Sequence, residues 1–418
     1  MKKYIIALSL AVFSLSMAAC EYTQPTTPPA TVTTPTAPPS TVPSTQPTKP
    51  ILTGWQVLDG KTCYFDGQGI RQTGWLELED GLYYLDDQGI LQTGWLELED
   101  GRYFQTEYGI VQKCWLTLPE GRYYLTESGT PLTGWQNLGG KDVYFLESGV
   151  LANGLVSIED VTYYFTPDGT LTSGWVTLGT ESYYLNENGS IHTGWLEVDA
   201  DRYYFREDGR MARGMVMVSE TEARYFTASG KEIVLVNPWN YIPEDYDPDL
   251  VKYNSRYQIS SVMLAPLKQM LADCKASGAT AIVGSAYRTH EYQEGLFENK
   301  IQRVMKSEGC SREEAMIIAA TVVAIPGTSE HQLGLAVDLV DITYQLLNEE
   351  QEKTAAQKWL MEHCWEYGFI LRYPNDKSDS TGIIYEPWHY RYVGVELSME
   401  LRDLGLSLEE YLDMLTEK

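Results

Sequence analysis

Basic side chains are in short supply: 31 Lys and Arg stand against 58 Asp and Glu, a formal net charge of −27. A surface that acidic repels phosphate backbones and argues against a nucleic-acid partner. Phenylalanine is sparse as well, with 9 Phe against 30 Tyr and 11 Trp. Aromatics with a polar edge suit half-exposed stacking surfaces better than a sealed interior. The six Cys include no CxxC pair, which disfavours a zinc ribbon or a disulfide-dense scaffold. Beyond the first twenty residues no segment reaches the ~20 apolar residues needed to cross a bilayer. What remains is 43% hydrophobic and 21% charged, the balance of a folded chain. Its 418 residues exceed one comfortable core, so a multidomain protein is expected.

Lys2 and Lys3 precede a short apolar run that ends in Met17-Ala18-Ala19-Cys20. A basic start, a short apolar stretch and small residues before a break read as a signal peptide over residues 1–19, not a membrane span. Cys20 directly after Ala18-Ala19 resembles a bacterial lipobox, with Met17 where that motif usually has Leu. The resemblance implies cleavage before Cys20 and its lipidation; the alternative is an ordinary secretory signal. The following residues, up to Pro50, are almost entirely Thr, Pro, Ser, Ala and Val. They cannot bury a core and should lie extended, a tether reaching roughly 90 Å at ~3.1 Å per residue.

From residue 51 to 235 the chain repeats. Trp55, Trp75, Trp95, Trp115, Trp135, Trp175 and Trp195 share one 20-residue period, with Leu155 and Met215 in the two vacant slots. Most follow a Gly, and an aromatic pair such as Tyr83-Tyr84 or Tyr203-Tyr204 comes eight or nine residues later. A fixed period of this length means stacked units, none able to bury its apolar side alone. Short aromatic runs broken by Gly and Asp predict one β-hairpin per repeat, hence a β-hairpin solenoid. The units resemble the cell-wall-binding repeats of choline- and glucan-binding surface proteins. That resemblance implies that the seven Trp take part in ligand binding, to choline-bearing teichoic acid or to wall glycan. An alternative is that every Trp is spent on holding neighbouring hairpins together. An aromatic cage for a quaternary ammonium needs about three rings. Choline-binding repeats usually supply one from a Trp just before the Tyr pair, where this sequence has Leu82, Arg102, Arg122, Asp142, Thr162, Ser182 and Arg202. The region carries 12 Lys and Arg against 28 Asp and Glu, which favours a cationic or neutral ligand.

After Val236 the aromatic period is lost. Ser261 to Lys275, Tyr292 to Lys306 and Ser311 to Val323 carry helical patterns, the last with Ser311 as cap and Glu314 three residues on. Ala281 to Val283, Ala336 to Val340 and Ile383 to Val393 read as strands. This mixture predicts a single α+β domain over 236–418. Of the five His in the chain, two stand in unusual company. His331 lies in Ser329-Glu330-His331-Gln332-Leu333-Gly334-Leu335-Ala336-Val337-Asp338, where Asp338 is costly inside an apolar strand unless paired or bound to a cation. His389 follows Glu386-Pro387-Trp388. Two imidazoles and a carboxylate suit Zn²⁺ with an open fourth position. Spacing alone leaves open that these are satisfied core residues instead. In Ser285-Ala286-Tyr287-Arg288, a guanidinium follows a buried strand and can grip a carboxylate or offset an oxyanion.

Taken in order, Ser-x-x-Arg-x-x-x-x-Gln, Ser-x-His-x-x-Gly-x-Ala-x-Asp and Glu-x-Trp-His resemble the VanY-type D-alanyl-D-alanine carboxypeptidases, across about Val236 to Gly394. The resemblance implies a small α+β fold with an antiparallel sheet and one zinc held by His331, Asp338 and His389. It implies Glu386 as the acid/base group and Arg288 as the residue that orients the peptide and stabilises charge at the scissile carbonyl. Ser285, Tyr287, Gln293 and Ser329 would lie near the substrate. The implied reaction removes C-terminal D-Ala from peptidoglycan stem peptides outside the cytoplasm, with the membrane met only through the lipid anchor. Two alternatives stay open: an L,D-carboxypeptidase acting on tetrapeptide stems, and a wall-binding adhesin with an inactive peptidase domain.

Overall fold

The computed structural model describes residues 51–199 and 201–416. The expected signal peptide, Cys20 and the Thr/Pro-rich linker lie outside the described residues. The chain divides into two compact units, 51–176 with 184–191, and 177–183 with 192–416. No described helix is long and apolar enough to cross a membrane.

The first unit is made of β-hairpins, one per repeat. In the first, Gly54–Leu58 pairs antiparallel with Lys61–Phe65. The two-residue turn between them, Asp59-Gly60, has φ of 52° and 78°. Positive φ at both positions is the type I′ geometry whose twist matches the strands, and Asp-Gly is a preferred sequence for it. The register sets each Trp opposite the second aromatic of its own pair: Trp55 faces Tyr64, Trp75 faces Tyr84 and Trp95 faces Phe104. Trp55, Trp75 and Trp95 also reach the first aromatic of the next repeat, with ring centroids 4.9 Å apart for Trp55–Tyr83, 4.8 Å for Trp75–Tyr103 and 5.0 Å for Trp95–Tyr123; Trp115, whose next repeat has Val143 there, reaches Phe145 instead, at 6.3 Å. Edge-to-face contacts of this kind contribute about 0.5–1.5 kcal/mol each beyond area burial. These hairpins are thus completed by their successors, which ties the spacing of one repeat to the next.

The second unit begins with the last repeats. Its final hairpin, Gly214–Met217 with Ala223–Phe226, gains a third short strand at Glu232–Ile233. The α+β part follows: α1 (Ser261–Ala276), β1 (Ala281–Ser285), α2 (His290–Glu308), α3 (Arg312–Ala320), β2 (Ala336–Asp341), α4 (Ala355–His363), β3 (Phe369–Leu371), β4 (His389–Tyr392), α5 (Val395–Leu404) and α6 (Leu408–Thr416). The strands form one antiparallel sheet in the order β1-β2-β4-β3. Ser311 and Glu314 form the anticipated capping box on α3, and Thr289 caps α2 two residues earlier than expected.

The strand expected over Ile383 to Val393 is shorter. Only His389–Tyr392 is extended and paired, because Pro387 has no amide hydrogen to offer a ladder and the Glu386 N–H turns to Tyr373 O at 3.1 Å.

The core forms where α1 and α4 cover one face of the sheet. Met263, Leu267, Met270 and Leu360 pack with Val337, Leu339 and Tyr390. Because strand side chains alternate, burying Val337 and Leu339 on this face commits Asp338 to the other. Leu360 is fully buried, so Leu360→Ala is expected to cost about 2–5 kcal/mol of stability, measured by urea denaturation. A cost below about 1 kcal/mol would contradict this packing.

Candidate active site

The sheet register assembles the site. Asp338 in β2 is paired with Ser285 of β1 on one side and with His389 of β4 on the other. Directly opposed residues point to the same face, so three residues far apart in sequence project together. A register irregularity between Val283 and Ser285 re-aims the end of β1, as bulges do beside active sites.

His331 arrives from the loop before β2. It sits on a single 3-10 turn, Glu330–Leu333, that ends at Gly334 with φ 73°. A β-carbon at 334 would also meet Leu250 Cδ2 at 2.8 Å, so both conformation and space demand the glycine there. His331 Nδ1 donates to Ala286 O at 2.9 Å, which leaves Nε2 as the free base, 3.3 Å from Asp338 Oδ1. His389 Nδ1 lies 3.2 Å from the same oxygen. The three ligand atoms fall within 4.8 Å of one another, and all three residues are buried. Ligands bound at 2.0–2.1 Å around a tetrahedral ion stand about 3.3 Å apart, so the two observed separations fit zinc.

Hydrogen bonds behind these residues fix their directions. Asp338 Oδ2 accepts from Arg288 Nη2 at 2.9 Å. Ser285 Oγ accepts from Arg288 Nε and Nη2 at 3.1 and 2.9 Å, and Gln293 Oε1 accepts from Nη1 at 3.4 Å. Ser285 and Gln293 therefore hold the guanidinium. Ser329 lines the cavity in front of the ligands, as do Arg288 and Glu386, whereas Tyr287 does not. That cavity measures about 400 Å³ and also receives Lys300 and Arg303 from α2.

Residues not assigned a role from the sequence make up the other support. His389 Nε2 lies 3.3 Å from Glu330 Oε2. The other oxygen of Glu330 accepts from Arg372 Nε at 2.8 Å and from Arg391 Nη1 at 2.9 Å. Arg372 then makes a two-pronged pair with Glu409 on α6, at 2.9 and 2.6 Å. Glu330 stands next to His331 in the motif, but its partners lie 42 and 61 residues away. Its only signal in the sequence is its place beside His331.

Burial opposes ionisation of Glu330, yet Arg372 and Arg391 hold its carboxyl well below the usual range. Burial, with Arg288 acting in the same direction, brings His331 down to about 4, keeping its imidazole neutral. Burial also opposes charge on His389, but hydrogen bonds to Asp338 and Glu330 outweigh it and lift the group to about 9. Glu386 is 8% exposed, and burial pushes its carboxyl up to about 8. Its Oε2 lies 3.8 Å from His389 Nδ1. These shifts belong to the protein alone; a divalent cation beside Glu386 would favour its carboxylate.

Residues 256–395 match the family model described as VanY, D-alanyl-D-alanine carboxypeptidase. Residues 52–89 and 192–239 match a choline-binding repeat, and 173–191 match a putative cell wall binding repeat. The chain is 43% identical over 188 residues to a D-alanyl-D-alanine carboxypeptidase of Enterococcus faecalis, covering 44% of this chain and 66% of that protein. It is 37% identical over 193 residues to the putative carboxypeptidase YodJ of Bacillus subtilis, covering 43% and 67%. The chain thus spans about two thirds of the length of these curated relatives. A solved structure of a vancomycin-resistance D,D-pentapeptidase VanY in complex with Zn(II) is 41% identical, with 43% of this chain and 97% of that one covered and a TM-score of 0.39. Through its C-terminal part, the chain belongs to the VanY family of D-alanyl-D-alanine carboxypeptidases.

Proposed function

We propose that this protein is a zinc-dependent D-alanyl-D-alanine carboxypeptidase that removes C-terminal D-Ala from peptidoglycan stem peptides. The observation that carries the reading is the convergence of His331 Nε2, Asp338 Oδ1 and His389 Nδ1 beside the buried Glu386 carboxyl. Zinc held by those three atoms would supply a Lewis acid that activates water for attack on the peptide carbonyl. Glu386 takes the proton from the attacking water and passes it to the leaving amine. Burial raises its hold on a proton while a neighbouring cation would lower it, and the two opposed effects suit a group that must both take and give a proton near ambient pH. Arg288, braced by Ser285 and Gln293, presents positive charge to the cavity, where it orients the peptide and offsets charge developing on the carbonyl oxygen. Lys300 and Arg303 add positive charge to the same wall, which suits a substrate ending in a carboxylate. Ser329 offers a hydroxyl to the peptide backbone.

The remainder of the chain serves delivery. We assign residues 51–235 to wall binding through the Trp-bearing repeats and 236–418 to catalysis. Residues 1–19 act as a signal peptide, and Cys20 carries a lipid from which residues up to 50 tether the enzyme outside the cytoplasm. Anchoring next to the polymer raises the local substrate concentration without any new contact at the site.

Glu386→Gln is expected to retain zinc, measured by elemental analysis, while its kcat falls about 10²–10⁴-fold; full turnover would remove Glu386 from its role. Glu330→Gln should weaken zinc binding about 10–100-fold, as loss of a carboxylate behind a ligating His does. Competition with a chromogenic chelator reads this directly, and unchanged affinity would show that Glu330 does not orient His389. Mass analysis of products from defined stem peptides should show D-Ala released from the pentapeptide. Cleavage of the tetrapeptide alone would assign the L,D-specific reaction, and no cleavage of either would leave a wall-binding adhesin.

A further inference from the structure

Two neighbouring repeats carry matching three-ring clusters, with Phe104 where the first has Tyr84, but differ in what lies over the Trp. In one, Trp75 has Tyr84 at 5.1 Å and Tyr103 at 4.8 Å. In the next, Trp95 has Phe104 at 5.2 Å and Tyr123 at 5.0 Å. Over Trp95 sits a guanidinium of the protein itself, with Arg102 Cζ 3.8 Å from the ring centroid. Arg122 covers Trp115 at 4.4 Å and Arg202 covers Trp195 at 4.3 Å in the same way. All three separations are well inside the ~6 Å reach of a cation–π contact.

The hairpin register explains the recurrence. Trp95 faces Phe104, and Glu97 faces Arg102. Arg102 is therefore the diagonal neighbour of Trp95 on one face, within reach of a long side chain. The guanidinium is held from two further sides, by Ser148 O at 2.9 Å from Nη1 and by Glu97 at 2.8 Å. In the Trp75 repeat the corresponding position is Leu82, opposite Glu77. Trp75 is 37% exposed, and no cation of the described residues stands over it.

We propose that Arg102, Arg122 and Arg202 are built-in ligands of the array. Each fills the cation position of its own repeat and closes it to external ligands, while the Trp75 position stays open to a small organic cation, with Glu77 on the same face. This rests on the reading of the repeats as a wall-binding array and adds which positions can act. An Arg in place takes up the ring face and cancels the favourable field of the nearby carboxylate, so a competing quaternary ammonium must displace a partner of far higher effective concentration. The residue at the position of Leu82 and Arg102 thereby sets the number of usable sites. The sequence pattern alone marks that position as a lost aromatic; the ring geometry shows what has replaced it.

The test uses the full chain, with choline chloride as the probe and sodium chloride as the ionic-strength control, followed by calorimetry and Trp fluorescence. Arg102→Leu copies the residue that the neighbouring repeat carries naturally, and Leu82→Arg is its converse. Arg102→Leu should add one site per chain and Leu82→Arg should remove one, both with unchanged far-ultraviolet circular dichroism. An unchanged site number in both variants would overturn the proposal. So would a wild type that binds purified walls but no choline, with Arg102→Leu equally silent; that result would leave wall binding itself intact.

Discussion

A carboxylate in the middle of a buried strand dominates the energetics of the second unit. Asp338 is 2% exposed between Val337 and Leu339, and stripping water from an unpaired charge there would cost several kcal/mol. The structure answers by surrounding it: Arg288 on one oxygen, two imidazoles on the other. Interactions with His331 and His389, together with Arg288, outweigh burial and hold its carboxyl well below the usual range. A divalent cation would complete this arrangement more fully than any proton can, since it would draw on both imidazoles and the carboxylate at once. Alternation along β2 then ties chemistry to folding, because the same strand that seals the core on one face must present Asp338 on the other.

A second buried charge carries that logic outward. Glu330 is almost wholly inaccessible and balances two guanidiniums, Arg372 and Arg391, that are equally buried. Removing one member of such a network leaves the others uncompensated, so these groups are coupled far more strongly than surface pairs. Glu409 on α6 closes the chain of contacts, with Asn237 donating to it at 3.0 Å. The C-terminal helix is thus bound into the support of a site whose motif ends well before it.

Much of this was legible in the sequence, for reasons that differ by region. A constant period and short aromatic runs broken by Gly and Asp made the hairpins plain, since local chemistry dictates them. Asp338 stood out as a charge inside an apolar strand, and Arg288, His331, Glu386 and His389 through the three ordered motifs in which they occur. The support was not legible. Arg372, Arg391 and Glu409 look like ordinary surface charges until the fold buries them together. β4 is shorter than the sequence pattern suggests, because the backbone before Pro387 bonds to Thr321 O and Tyr373 O rather than to a neighbouring strand. In the repeats, substitution of an expected aromatic by Arg102 was visible, but the placement of its guanidinium over Trp95 depends on the register.

The central claim is that His331, Asp338 and His389 together hold one catalytic zinc. Zinc K-edge X-ray absorption on the purified full chain tests it most directly, since free thiols at Cys63, Cys274, Cys310 and Cys364 offer a rival donor type. The account predicts one zinc per chain, two imidazole nitrogens and only oxygen besides, at about 2.0–2.2 Å. Sulfur in the coordination shell, or no zinc retained at all, would contradict it.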